Sequence, residues 1–251
     1  MPRVPLLLLP GLLCDARLWR DQVDALSDIA VPTVADLSQD DTIEGMADRA
    51  IAPMPERFAV AGLSMGGYVA FAILRRVPER VTAVCLLDTS ARPDTQEQAR
   101  RRRGLIALAR RGRFRGVTPR LLPQLLHPAR LSDETLTTEV MAMAERIGQE
   151  AFLRQQSAIL KRPDSRPDLS YIGVPALVGV GEADALTPPD CAAEIAAGIG
   201  GAKLRLIAGC GHLPPIERPG VVSGLMRSWI LGDSVRNRSD TIQVHRRYES
   251  G

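Results

Sequence analysis

Apolar residues in this chain gather in short runs, and between the runs apolar positions recur at helical spacing. The runs are Val4–Leu9, Ala30–Val34, Phe58–Ala61, Val81–Leu87, Ala176–Val180 and Lys203–Ile207. Most are apolar on both parities, the pattern required of strands buried on both faces, as in a parallel sheet covered by helices. Amphipathic stretches at Trp19–Leu26, Thr42–Ile51, Gly66–Arg75, Pro189–Ile199 and Gly220–Leu231 predict the covering helices. The pattern therefore predicts an α/β fold with a mostly parallel sheet of about six strands flanked by helices.

The alternation fails once, between Arg92 and Asp168. No strand-like run occurs there, and breaks at Gly112, Pro119, Pro123, Pro128 and Pro163–Pro167 divide the segment into four expected helices. A helical block inserted between two strands of a sheet is expected to form a lid rather than a domain with its own core. The predicted organisation is a core of residues 1–91 and 169–231 with a cap of residues 92–168. Residues 232–251 are polar and lack apolar periodicity, which predicts a flexible tail.

Composition narrows the class. A chain of 251 residues, 45% apolar and 24% charged, is ordinary for one large globular domain and excludes a collagen, coiled-coil or disordered chain. Four scattered cysteines (Cys14, Cys85, Cys191 and Cys210) lack metal-finger or redox spacing and read as thiols in a reducing compartment. The leucine run after Arg3 ends at Pro10-Gly11 with no small-residue cleavage site, too short for a secretory signal, and no stretch approaches the roughly 18 apolar residues of a membrane span. A cytoplasmic location is the expectation. The charge is less ordinary. The formal net charge is +3, but ten arginines fall between Arg92 and Arg120 against only Asp94 and Glu97, so that window carries +8. Nucleic-acid binding calls for interleaved aromatics, and Phe114 alone lies in the window, so no nucleic-acid partner is expected. A basic helix resting on anionic lipid is the other surface reading.

The strongest chemical signal is Gly62-Leu63-Ser64-Met65-Gly66-Gly67, directly after a strand-like run and before a helix-like one. That is the context of a nucleophile elbow, a sharp strand-to-helix turn that holds a serine hydroxyl out toward substrate. A serine needs a base to take its proton. Of three histidines, His127 lies in the helical insertion and His245 in the polar tail. His212 follows a strand in Gly209-Cys210-Gly211-His212, at the end of the sheet where open α/β folds place their sites. The base needs an orienting carboxylate. Asp184, in the loop after Ala176–Val180, has the expected chain order, with Glu182 and Asp88 as competitors that read as a solvated loop acid and a turn or helix cap. The N–H of Met65 and, in the bend Pro10-Gly11-Leu12, the N–H of Leu12 are the expected oxyanion donors. Leu13 and His127 are candidate substrate-pocket residues.

These motifs together resemble the α/β-hydrolase superfamily, and most of all its small bacterial carboxylesterases and enol-lactone hydrolases with a short helical cap. The matching pieces are Leu6–Leu13, Gly62–Gly67, Gly179–Pro189 and Gly209–Pro215 with Glu217 and Pro219, spanning residue 4 to about 231. The resemblance implies a serine hydrolase acting on a small carboxylic ester or lactone through Ser64, His212 and Asp184, with no cofactor and no metal. It also implies that Glu217 braces the histidine loop. The family's first loop usually reads His-Gly; here it reads Pro10-Gly11, so a hydrogen bond that orders that loop is missing. The family's N-terminal antiparallel hairpin is also expected to be absent. Thioester hydrolysis, C–C bond hydrolysis or a lyase reaction on the same triad, or a non-catalytic ligand receptor, are the alternatives on this fold. Within it, the arginine-rich window falls in the first part of the cap, where it is expected to steer acidic substrates toward the site.

Overall fold

The computed structural model describes residues 2–232. The expected tail, Gly232 apart, and His245 lie outside the described residues. Six strands form one sheet: β1 (Val4–Leu9), β2 (Ala30–Val34), β3 (Phe58–Leu63), β4 (Val81–Leu87), β5 (Ala176–Gly181) and β6 (Lys203–Ile207). Their spatial order is β2-β1-β3-β4-β5-β6, and every pair is parallel. The strand order reverses between β1 and β3, where the chain leaves the two strands in opposite directions and opens a crevice at their carboxyl ends.

Period-two alternation sends the apolar runs of the four central strands into two cores. In β1, Leu7 and Leu9 face one side while Leu6 and Leu8 face the other. The first side packs against α2 (Ile43–Ile51), α3 (Met65–Arg76) and α7 (Pro189–Gly198). The second packs against α1 (Arg20–Leu26), the one-turn α8 (Pro214–Glu217) and α9 (Pro219–Leu231). Capping side chains set several helix starts: the Thr42 hydroxyl accepts from the Gly45 N–H at 3.1 Å, and Asp133 accepts from the Leu136 N–H at 3.1 Å.

Two elements differ notably from expectation. β3 was expected to stop at Ala61 but continues to Leu63, because Gly62 still pairs with Leu9 on one side and Leu86 on the other. A glycine that breaks an apolar run need not break a ladder, since the pairing is made by backbone. The other is α8, absent from the helical periodicity because it is a single turn.

Residues 92–168 hold α4 (Gln96–Leu108), α5 (Leu122–Leu125) and α6 (Glu134–Lys161), with no strand among them. α6 is interrupted at Gly148, whose φ of 75° and ψ of 177° are not helical. Its first half buries Leu136, Val140 and Met143 in the core on the α1/α9 side, and its second half buries Ala158 and Ile159 in the core on the α2/α3 side. α6 therefore crosses from one face of the sheet to the other. Between those halves, Ala144 and Phe152 form a third apolar cluster with Leu13 and Ala109.

Backbone packs tightly on backbone at the β3–α3 turn. A Cβ on Gly66 would collide with the carbonyl of Leu9 in β1, and one on Gly62 with the carbonyl of Gly66. Gly66→Ala is expected to lower stability by about 2–3 kcal/mol, since a β-carbon there must push two backbones apart. Urea denaturation measures this; a variant within about 0.5 kcal/mol of wild type would contradict the close approach.

Candidate active site

Ser64 sits between β3 and α3 with φ 53° and ψ −113°, a conformation an L-residue adopts only when its surroundings enforce it. Here the enforcement is visible. The Ser64 N–H donates to the Leu87 carbonyl at 3.0 Å, and its carbonyl accepts from the Gly67 N–H at 2.9 Å and the Thr89 hydroxyl at 2.8 Å. The turn is thus pinned to the end of β4, and the hydroxyl is left pointing away from the sheet.

His212 is buried, in the loop after β6. Its Nε2 lies 2.9 Å from Ser64 Oγ, and its Nδ1 lies 2.8 Å from Asp184 Oδ2 and 2.9 Å from Oδ1. An ionised carboxylate can only accept, so Nδ1 carries the proton and Nε2 is left as the acceptor facing the serine. The loop that carries the ring is held by Glu217, which accepts from the N–H groups of Gly211 at 2.9 Å, Leu213 at 3.2 Å and His127 at 2.8 Å. The His212 N–H itself donates to the Leu125 carbonyl at 2.8 Å.

Asp184 is buried at the end of the β5 loop. Its oxygens accept from the Leu186 N–H at 2.8 Å, the Thr187 N–H at 3.1 Å and the Thr187 hydroxyl at 2.7 Å, besides the imidazole. Burial alone would raise its pKa. The charge and hydrogen bond of His212, with the donors from Thr187 and Leu186, outweigh burial and hold it below the ordinary carboxylate value. Asp88 is the opposite case. It ends β4 at φ 44°, fully buried, with Oδ1 accepting from the Gly181 N–H at 2.8 Å. Its Oδ2 is buried without a hydrogen-bond partner among the described residues. Burial, then the charge of Asp184, push its pKa well above the ordinary value, which favours the protonated form. Expected as a turn or helix cap, Asp88 instead holds the end of the neighbouring strand β5.

Asp88, Asp184 and His212 bring one donor atom each within 4.8 Å of one another. The imidazole Nδ1 already donates to Asp184 and burial disfavours the charged form of Asp88, so the set fits proton handling rather than cation binding.

On the other wall, β1 ends in Pro10-Gly11-Leu12-Leu13. The Cys14 N–H closes this bend on the Gly11 carbonyl at 3.1 Å, and the Leu13 N–H donates to Gln155 Oε1 at 3.1 Å. The Leu12 N–H has no intramolecular acceptor among the described residues. The Met65 N–H, first in α3, likewise has no helical carbonyl to accept it.

Of the residues expected to line the pocket, Leu13 joins the apolar cluster of Ala109, Ala144 and Phe152, where Phe114 and Phe152 lie 5.1 Å apart between ring centroids. His127 is placed otherwise. Its Nδ1 accepts from the Ala129 N–H at 3.2 Å and its Nε2 lies 3.6 Å from Glu182, which ties it to the back of the histidine loop, with no hydrogen bond to Ser64 among the described residues. Glu182, expected as a solvated acid, also accepts from the Gly209 N–H at 2.6 Å. Sequence reasoning missed Thr89, Thr187 and Gln155. Gln155 carries a readable signal, being one of the few polar residues, with Thr137 and Gln156, on the mostly apolar buried stripe of α6, where every such group must find a partner.

The model of the alpha/beta hydrolase family matches residues 6–225 of this chain. The chain belongs to that family. As a family member it is 27% identical over 204 residues to a pimeloyl-[acyl-carrier protein] methyl ester esterase from Neisseria meningitidis, covering 79% of each chain. Its fold superposes on a thermophilic esterase from Thermogutta terrifontis, solved with malate bound, with a TM-score of 0.82 and 29% identity, covering 92% of this chain and 90% of that one. The enol-lactonase from Burkholderia xenovorans LB400 gives a TM-score of 0.81 at 23% identity, covering 92% of each chain, and shows the shared fold. The resemblance to small bacterial esterases of this fold therefore stands.

The cysteines do not compete with the serine in this hydrolase. All four are buried. Burial, with the charge of Asp15, pushes the Cys14 thiol up to about 12, and burial raises Cys85, Cys191 and Cys210 as well. Iodoacetamide at pH 8 is expected to leave the native protein unlabelled and to modify all four thiols in urea. Labelling of Cys210 in the native state, read by peptide mass spectrometry, would contradict this.

Proposed function

We propose that this chain is a serine hydrolase that cleaves a small carboxylic ester or lactone through an acyl-enzyme. The observation that carries the reading is the line of 2.9 Å from Ser64 Oγ to His212 Nε2 and 2.8 Å from His212 Nδ1 to Asp184. Ser64 Oγ attacks the carbonyl carbon as its proton passes to Nε2. The Leu12 and Met65 N–H groups hold the oxyanion, each worth roughly 3 kcal/mol in the transition state. The tetrahedral adduct collapses, the C–O bond breaks and the leaving alkoxide takes the proton from Nε2. Water then gives its proton to His212, attacks the acyl group and releases the acid, restoring Ser64. Asp184 stays ionised throughout, keeping Nδ1 protonated and stabilising the imidazolium. The helical segment 92–168 acts as the cap, and its apolar cluster of Leu13, Ala144 and Phe152 receives the apolar part of the substrate. A methyl ester substrate in the Neisseria relative and the esterase name of the Thermogutta neighbour support the ester reading.

Ser64→Ala is expected to lower kcat/KM for p-nitrophenyl esters by about 10⁴-fold or more, and to abolish labelling by a fluorophosphonate probe. Asp184→Asn, which leaves the imidazole in the wrong tautomer, is expected to cost on the order of 10³–10⁴-fold. Undiminished turnover in Ser64→Ala would overturn the assignment.

The arginine-rich window supports a preference for anionic substrates. Arg92 pairs with Asp190 and Glu194, and Arg102 with Asp94, but Arg103, Arg110 and Arg111 are exposed and, with Lys161, border a groove between α4 and α6 floored by Ile106, Leu153 and Leu160. Leu153 also packs on the cluster above Leu13, so this positive field lies beside the proposed acyl site. kcat/KM for an anionic ester is expected to fall with added salt more steeply than for a neutral ester. Equal salt slopes would leave the arginines as a solvated face.

A further inference from the structure

The loop after β1 bears the proposed oxyanion donor Leu12, and its internal ties, the Cys14 N–H on the Gly11 carbonyl (3.1 Å) and the Cys14 Sγ on the Leu12 carbonyl (3.6 Å), leave the Leu13 N–H to a partner outside the loop. Leu13 sits at φ 59°, a left-handed conformation that a leucine does not keep unaided. The cap supplies that outside partner. Gln155, in the second half of α6 and 1% exposed, accepts the Leu13 N–H at Oε1 (3.1 Å) and donates from Nε2 to the Leu37 carbonyl at 3.2 Å. Its amide thus spans the loops after β1 and β2, the two strands on the far side of the crevice from β3.

We infer that Gln155 is a positioning residue, borne by the cap, that holds the Leu12–Leu13 bend so that the Leu12 N–H aims at the oxyanion. The inference rests on the hydrolase reading above. By taking up the Leu13 N–H, Gln155 fixes the plane of the peptide next to the Leu12 amide and stabilises Leu13 in its left-handed conformation. It touches no reacting atom. The same contact couples the two parts of the molecule: when α6 is docked the oxyanion donor is set, and when α6 lifts the bend is free to relax.

The alternative is that Gln155 merely anchors α6. Other anchors exist for comparison. The adjacent Arg154 donates from Nε to the Ser38 carbonyl at 2.7 Å, tying the same helix to the same loop after β2 without touching the loop after β1. Gln156 accepts from Arg102 at 2.6 Å, a tie within the cap. A structural role predicts that loss of Arg154 and loss of Gln155 act alike. Positioning predicts that only Gln155 affects the transition state.

The test compares Gln155→Met, which keeps the side-chain length and removes both hydrogen bonds, Gln155→Glu, which keeps an acceptor for the Leu13 N–H, and Arg154→Met. Each is measured for kcat and KM on a p-nitrophenyl ester, and for inhibition by a trifluoromethyl ketone that forms the tetrahedral adduct and by a simple carboxylate that does not. Gln155→Met is expected to lose on the order of 10- to 100-fold in kcat with KM little changed. Trifluoromethyl ketone binding should weaken by a similar factor while carboxylate binding holds. Gln155→Glu is expected to recover part of kcat, and Arg154→Met to keep wild-type kcat. Amide hydrogen exchange in Gln155→Met should accelerate at Leu12–Cys14 and not within β1. Wild-type kcat in folded Gln155→Met, equal losses for ketone and carboxylate, or a matching loss in Arg154→Met would each overturn the positioning role while leaving the hydrolase reading intact. If Gln155→Met fails to fold, Gln155→Glu decides: a fully inactive but folded Glu variant overturns the inference. Wild-type protein without esterase turnover or fluorophosphonate labelling would instead overturn the hydrolase reading, and this inference with it.

Discussion

The contact between the β3–α3 turn and strand β1 is the constraint on which the site depends. Gly66 lies against the Leu9 carbonyl with no room for a β-carbon, and Gly62 lies against Gly66 in the same way. This packing lets the chain reverse within one residue, so Ser64 takes a φ of 53° and projects from the sheet end. The strain is contained because the turn is also tied to β4 through the Leu87 carbonyl and the Thr89 hydroxyl. The approach also brings the loop after β1 beside the serine, so that an N–H of that loop and the first N–H of α3 flank it. Loosening the turn would displace the proposed nucleophile and both proposed oxyanion donors together.

Two acids share the other side of the site, and their surroundings push their pKa values in opposite directions. Asp184 receives hydrogen bonds from two backbone N–H groups and a hydroxyl and faces an imidazole, so it remains a carboxylate. Asp88 receives one N–H, is fully buried and faces Asp184, so its pKa is pushed up. A second negative charge beside Asp184 would compete for the imidazolium that the proposed mechanism requires. Asp88 keeps the end of β5 in place through the Gly181 N–H, and its raised pKa works against that second charge.

The helical segment between β4 and β5 contributes through α6. The break at Gly148 lets one helix bury its first half on one face of the sheet and its second half on the other, carrying Phe152 and Gln155 across the sheet end between them. Its buried stripe includes two glutamines, and each carries a hydrogen bond that a wholly apolar stripe would lack. One joins α6 to α4 through Arg102; the other joins α6 to the loops after β1 and β2.

What the sequence by itself determined was local. The sheet is legible because strands buried on both faces must be apolar on both parities, and the serine turn because its glycines are demanded by backbone contact within a few residues. Chain order and loop position were enough to bring forward Asp184 and His212, since each follows its strand at the same end of the sheet. The roles of Asp88, Gln155 and His127 were not legible. Asp88 is defined by the Gly181 N–H and the charge of Asp184, Gln155 by Leu13 and Leu37, and His127 by Glu182 and Glu217, all far away along the chain. Only the tertiary structure decided these, because a buried polar group takes its protonation state and its partner from whatever the fold packs around it, and residue type and spacing carry no record of that neighbour.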